Sequence, residues 1–300
     1  MNAGVLNVLK PPGMTSHDVV DFVRRFVPRR TRVGHAGTLD PSAAGVLVIC
    51  LGVATRLTQY LMEGDKEYRA EVALGVATDT LDAEGAVVAE GDASSLSEEE
   101  VRAASASLVG PQMMAPPMYS AARVGGERLY ELARRGESAE PKPRPVTVHS
   151  ADLVAFSPGA RATALFDIRC SKGTYVRVLA AQLGERLGVG GHLSFLVRTA
   201  VGRHLLRDAV TLEEIAEAAE EGRLAALCLS PSAALAHLPE VQVSAAGARA
   251  FANGNAAPHQ LAAAGLVRVS DPEGRLVGIG EVLSRPDGSS LTPRKVIVGS

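Results

Sequence analysis

Three hundred residues at 46% hydrophobic content can bury a substantial core, as two domains or as one large domain with an appendage. A net charge of −2, from 31 Lys and Arg against 33 Asp and Glu, speaks against the uniformly basic footprint usual in nucleic-acid binders. Aromatics make up 4% with no Trp, so the core rests on Ala, Val and Leu; the distant Cys50, Cys170 and Cys228 match no metal spacing, and Cys50 and Cys170 read as reduced core residues. No charged-then-apolar leader opens the chain and no apolar run reaches membrane-spanning length, so a cytoplasmic protein with no membrane partner is expected.

In chain order, Val5 to Leu9 reads as a strand ended by Lys10-Pro11-Pro12-Gly13. Ser16 is the expected N-cap of a helix burying Val19, Val20, Val23, Phe26 and Val27, stopped by Pro28. Val46 to Cys50 is a buried apolar strand, Thr55 to Met62 a short helix, and Tyr68, Ala70, Val72 and Leu74 alternate as a half-buried strand. Asp79 to Gly85 reads as an acidic, solvated turn whose spacing is not that of a calcium loop. Ser97 caps a surface helix through Leu108, and Pro111 to Pro117 is extended. Arg123 to Pro145, rich in Arg, Gly and Pro, reads as a mobile surface element with a helical turn or two at Tyr130 to Ala133. Strands follow near Val146–Val154 and Thr163–Cys170, then a helix from Thr174 to Leu187 and a strand from Leu193 to Val201. Thr211 and Glu214 form a capping box on an acidic helix. Beyond the Ser-Pro-Ser and Leu-Pro signals at 230–239, a small helix near Ala245–Ala252 and strands Leu266–Val269, Val277–Leu283 and Val296–Val298 make a β-rich appendage.

Charge is segregated along the chain. Arg24, Arg25, Arg29, Arg30 and Arg32 cluster ahead of residue 40, while acid gathers at Glu98 to Glu100 and at Glu213 to Glu221. The stretch Gly34-His35-Ala36-Gly37-Thr38-Leu39-Asp40-Pro41-Ser42-Ala43-Ala44-Gly45 places one carboxylate among small residues and glycines. Such a loop permits close approach by another molecule, and its single central acid marks a candidate site. His35 has no partners for metal ligation in His17, His149, His192 or His204.

That stretch resembles the signature of the tRNA pseudouridine synthase B family. Three further segments resemble the family's other motifs, in order: Lys66-Glu67-Tyr68-Arg69-Ala70, Ser171-Lys172-Gly173-Thr174-Tyr175-Val176-Arg177, and Gly190 to Arg198. Ser42 and Ala44 depart from the pattern, where a bulkier residue and a threonine are expected. The resemblance implies that Asp40 is the nucleophile, that Tyr68 stacks on the target base, and that Tyr175 and Leu196 contact it. It further implies that Arg177 pairs with Asp40 and that His35 fills the space left by the flipped nucleotide. The implied reaction converts uridine to pseudouridine at position 55 of the tRNA T loop. It breaks the N1–C1′ bond and rejoins the base through C5, with no redox change, so no cofactor and no metal is expected. The implied partner is the T arm of tRNA, bound by a monomer.

The implied fold is α+β: a large mixed, mainly antiparallel sheet with flanking helices over residues 1–235, and a PUA-like RNA-binding domain over 236–300. Arg249, Arg268, Arg275, Arg285, Arg294 and Lys295 would give that tail charge to meet the tRNA backbone. The alternative is a non-catalytic tRNA-binding or folding protein using the same face, but binding alone has no use for a lone buried carboxylate. A glycosidase normally needs two working acids, and no second acid here carries a comparable motif. Gly278-Ile279-Gly280 lacks the third glycine of a dinucleotide loop, and no P-loop occurs.

Overall fold

A computed structural model describes residues 3–258, 264–285 and 288–297. Among these, nine strands form one sheet: β1 (Ala3–Lys10), β2 (Val33–Ala36), β3 (Ala44–Gly52), β4 (Lys66–Leu74), β5 (Gly110–Met114), β6 (Arg144–Ser157), β7 (Ala162–Cys170), β8 (Gly191–Val201) and β9 (His204–Leu205). Their order is β1-β3-β8-β4-β7-β6-β5, with β2 also on β3 and β9 on β8. Only β3 with β8 is parallel; the other pairings are antiparallel. The chain therefore adopts the expected α+β architecture. No helix among the described residues is long and apolar enough to cross a membrane.

The apolar run of β3 is explained by burial on both faces. Val46, Val48 and Cys50 join one core cluster, while Leu47, Ile49 and Leu51 join another beneath helix α1 (Ser16–Arg24). Helix α1 packs Val19, Val20 and Val23 on that second cluster. Its N-cap is Thr15, not Ser16: the Thr15 hydroxyl accepts from the Asp18 amide and Asp18 answers in a capping box. Ser16 is buried and used elsewhere. Strand β4 alternates as expected, with Tyr68, Ala70, Val72 and Leu74 in the largest core cluster.

Helix α2 (Glu98–Ala106) has the Ser97 cap expected of it, and helix α3 (Val176–Arg186) lays Val176, Leu179, Ala180 and Leu183 against the sheet. Helix α4 (Leu212–Glu220) starts at the Thr211–Glu214 capping box. The acidic turn joins a hairpin of Val76–Thr78 with Val87–Glu90. Within Arg123 to Pro145 the chain forms a small hairpin (Arg123–Val124 with Glu127–Arg128) and a helix at Leu129–Arg134, fastened by a fully buried Leu129.

At the C-terminal end, β10 (Glu240–Gln242), β11 (Gly265–Ser270), β12 (Leu276–Arg285) and β13 (Gly288–Val296) form a separate four-stranded sheet, packed by helix α5 (Ala245–Ala252). The last strand begins well before Val296, and Val298 lies outside the described residues. This β-rich domain has its own core around Phe251, Val269 and Leu291. Leu276, Ile279 and Ile297 instead pack with Leu57, Tyr60 and Leu235, so the domain is docked on the larger body and not merely tethered.

The parallel join of β3 to β8 depends on Gly45. It sits at φ +111°, and a Cβ there would lie 2.2 Å from the carbonyl oxygen of Arg198. At this glycine the close approach is made by the protein's own backbone and not by another molecule. Gly45→Ala is expected to lower unfolding stability by more than about 3 kcal/mol in urea denaturation, from strain plus an unavoidable backbone clash. Gly188→Ala, also at positive φ but facing open space, is expected to cost only about 1 kcal/mol.

Candidate active site

The loop between β2 and β3 carries Asp40, and three buried side chains fix its backbone. Ser16 accepts a hydrogen bond from the Leu39 amide at 2.8 Å and donates to the Leu39 carbonyl at 3.0 Å. Lys10, fully buried at the end of β1, donates to the carbonyls of Pro41 at 3.1 Å, Pro11 at 2.9 Å and Met14 at 2.6 Å. Arg198, buried on β8, donates to Gly37 at 3.1 Å, Thr38 at 3.2 Å and Val46 at 2.8 Å. Burial pushes the Lys10 ammonium down to about 8 against the pull of Asp40, and burial likewise lowers Arg198.

Asp40 meets Arg177 at this loop. The Arg177 Nε lies 3.1 Å from Asp40 Oδ2, and its Nη1 lies 3.3 Å from Asp82 Oδ2. The guanidinium also donates to the carbonyls of Tyr119 at 2.7 Å and Thr80 at 3.2 Å. Arg177 stands in the first turn of α3, where the helix dipole disfavours a cation. Two carboxylates and two carbonyls offset that cost. The Asp40 side chain keeps 39% of its exposure, against 6% for Arg177 and 12% for Asp82, so Asp40 is the member of the trio open to a ligand.

Asp82 corrects the expected solvated turn at Asp79–Gly85. It accepts from the Thr80 hydroxyl at 2.5 Å and the Glu84 amide at 3.1 Å, while Leu81 beside it adopts a left-handed φ of 64°. Lys10, Asp82 and Ser16 are thus site residues that the sequence pattern missed, and Arg198 was part of a motif with no role attached. Lys10 carried one usable signal, a lysine at the end of a mostly apolar strand; Asp82 carried none.

The cleft beside Asp40 is lined by Ala43, Asp82, Arg177, Leu193 and Leu196. Tyr68 does not line the cleft: it is buried in the core cluster that contains Leu39, Ala43 and Leu196, opposite Arg198 in the β4–β8 register. Burial raises its phenol above the ordinary value, with the Arg198 charge opposing. Tyr175 precedes α3, packs on the same cluster, and does not line the cleft. His35 on β2 also lies off the cleft lining, with Nδ1 buried and unpartnered, and burial lowers its pKa so that the ring is neutral at pH 7.

The family described as "TruB family pseudouridylate synthase (N terminal domain)" matches residues 24–176. The chain belongs to this family. Its C-terminal companions match residues 177–235 and 239–297. A tRNA pseudouridine synthase B of Symbiobacterium thermophilum is 54% identical over 84% of this chain and 82% of its own length. That of Moorella thermoacetica is 46% identical over 99% of this chain and all of its own. Among solved structures, a Cbf5–Nop10–Gar1 complex aligns at TM-score 0.76 and 25% identity, covering 99% of this chain and 85% of that one. An H/ACA RNP bound to a substrate RNA containing 2′-deoxyuridine aligns at 0.74 and 25%, covering 99% and 85%. In this TruB-family chain the four motifs therefore converge on one carboxylate–guanidinium pair.

Burial raises the Asp40 carboxyl above the ordinary range; Arg177 opposes that rise, Asp82 adds to it, and Lys10 opposes it. Asp82→Asn is expected to move the Asp40 titration to lower pH, and Arg177→Met to higher pH. The acidic limb of the single-turnover pH–rate profile reads both shifts, since protonation removes the charged carboxylate as pH falls through its pKa.

Proposed function

We propose that this chain isomerises uridine 55 in the T loop of tRNA to pseudouridine, with Asp40 as nucleophile. As a member of its family the chain is a tRNA pseudouridine synthase, an isomerase acting on uridine in tRNA. The observation that carries the finer reading is the Asp40–Arg177 contact at 3.1 Å, with the carboxylate open to a cleft walled by Leu193 and Leu196.

The reaction needs one nucleophile and a place to hold a loose base. Asp40 supplies an electron pair that captures C1′ or C6 as the N1–C1′ bond breaks. Arg177 keeps that carboxylate ionised despite its surroundings, and its planar fork suits the task better than an ammonium does. The freed uracil turns against Leu196, beside the core that buries Tyr68; C5 bonds to C1′ as the bond from Asp40 to C1′ (or, in the other route, to C6) breaks, and the C5 proton goes to water while N1 takes one from water, so atoms balance without any other reactant. A uridine in a folded loop is reached only by extrusion, and His35 and Tyr175, off the cleft itself, support the opened stack.

Residues 1–235 form the catalytic unit in this reading, and 236–300 a PUA-like domain extending the grip on tRNA. The family matches support that division, breaking between 235 and 239. The charge assigned to the tail is smaller than its composition suggests. Arg268 is held by Glu240 at 3.0 Å and by Ser232, Arg275 by Asp271 at 2.7 Å, and Arg294 by Glu281. The side chain of Arg285 lies outside the described residues. Arg249 and Lys295 are in no ion pair among the described residues, so the tail's phosphate contacts rest on them first.

Incubation with unmodified tRNA followed by mapping of pseudouridine is expected to find product at the T-loop uridine. Asp40→Asn is expected to reduce single-turnover rate at least about a thousandfold while tRNA binding persists, because only the nucleophile's charge is removed. Product at another uridine would overturn the site assignment, and substantial turnover by Asp40→Asn would overturn the nucleophile.

A further inference from the structure

Strand β8 contains an irregularity beside the cleft. Its register against β4 shifts between Leu193 and Phe195, leaving Ser194 as an extra residue. Strict alternation from Leu193 would bury Phe195 and expose Leu196. The bulge reverses this: Leu193 and Leu196 are both buried, at 5% and 8%, and Phe195 is 45% exposed. Among the described residues, Phe195 is the one exposed large hydrophobic that lines the cleft containing Asp40. The chain holds only six Phe and no Trp, and an unpacked ring at this place forgoes burial that the neighbouring core could supply.

The rim near this ring is acidic. Asp82 and Glu84 line the same cleft, and Glu71, the register partner of Phe195, accepts from the Ser194 hydroxyl at 2.7 Å. A phosphate group is repelled there. A flat, uncharged nucleobase is not, and its π face matches that of the ring.

We propose that Phe195 is a specificity-determining residue that stacks on the base of a nucleotide adjacent to the target uridine. The proposal rests on the reading that the cleft receives an extruded uridine. Extrusion strips the neighbouring base of a stacking partner, and Phe195 replaces it, while the bulge turns Leu196 inward to the uridine pocket. The two side chains thereby serve adjacent nucleotides from adjacent positions.

The test is steady-state kinetics of wild-type enzyme, Phe195→Leu and Phe195→Tyr on unmodified tRNA. It is repeated with tRNAs carrying an abasic residue on either side of the target. Phe195→Leu is expected to raise KM about tenfold with little change in kcat, and Phe195→Tyr, which keeps the ring, to restore the low KM. An abasic residue at one flanking position is expected to raise the wild-type KM by a similar factor and to add nothing in Phe195→Leu. A wild-type KM in Phe195→Leu, a loss confined to kcat, or abasic and Leu effects that multiply at both positions would each overturn the proposal. If the wild-type enzyme forms no pseudouridine on intact tRNA, the uridine reading falls and this one with it; an active wild type beside an unaffected Phe195→Leu overturns this one alone.

Discussion

The site depends on holding the backbone of one loop with buried positive charge. Lys10 and Arg198 reach the loop from two different strands, and the hydrogen bonds found for them are mainly to main-chain carbonyls. Buried cations are costly when unpaired, and here they are compensated by oriented carbonyl dipoles together with the charge of Asp40. The same cations that position Asp40 also favour its ionised form, so anchoring and ionisation are one electrostatic arrangement. A neutral loop held by side-chain packing would have the shape without that bias.

Sheet topology delivers those groups to one place. The parallel join of β3 to β8 is the only one in a sheet otherwise antiparallel among its described strands. It brings the segment after Asp40 beside Arg198, and β4 then lies on the other edge of β8, so Tyr68 faces Arg198 directly in register. Helix α3 packs over that face and presents Arg177 from its first turn. Four stretches separated by up to some 150 residues of sequence thus surround a single carboxylate, and the tight contact at Gly45 is where they close.

Arg177 divides its charge between Asp40 and Asp82, and the division has a chemical consequence. A guanidinium bound to one acid alone would hold that acid firmly ionised but also quench it as a nucleophile. Sharing with Asp82 weakens the hold on Asp40, and the Asp82 charge raises the proton affinity of Asp40 across the shared cation. The nearly buried Asp82 carries the structural half of the pairing, leaving the exposed half to the ligand.

Much of this was legible in the sequence. The alternation of Tyr68, Ala70, Val72 and Leu74 located β4, the Ser97 cap and the Thr211 capping box located two helix starts, and the order of motifs around Asp40, Tyr68, Tyr175, Arg177 and Leu196 identified the family. These signals are local: period, cap chemistry and short motifs depend on neighbours within a few residues. Ser16, Lys10, Asp82, Arg198 and the tail arginines were different. In sequence Asp82 belongs to a polar turn, Ser16 to a cap, and Arg268 to a basic tail, and each reading is locally sound. Whether such a group meets water, a carbonyl or an opposite charge depends on residues far away in sequence, 160 positions for Arg198 and Thr38. Sequence by itself placed most of the large elements and singled out Asp40 as the candidate carboxylate; the tertiary structure alone decided which polar groups are buried around it, because the cost of burying charge is set by partners that only the folded chain brings together.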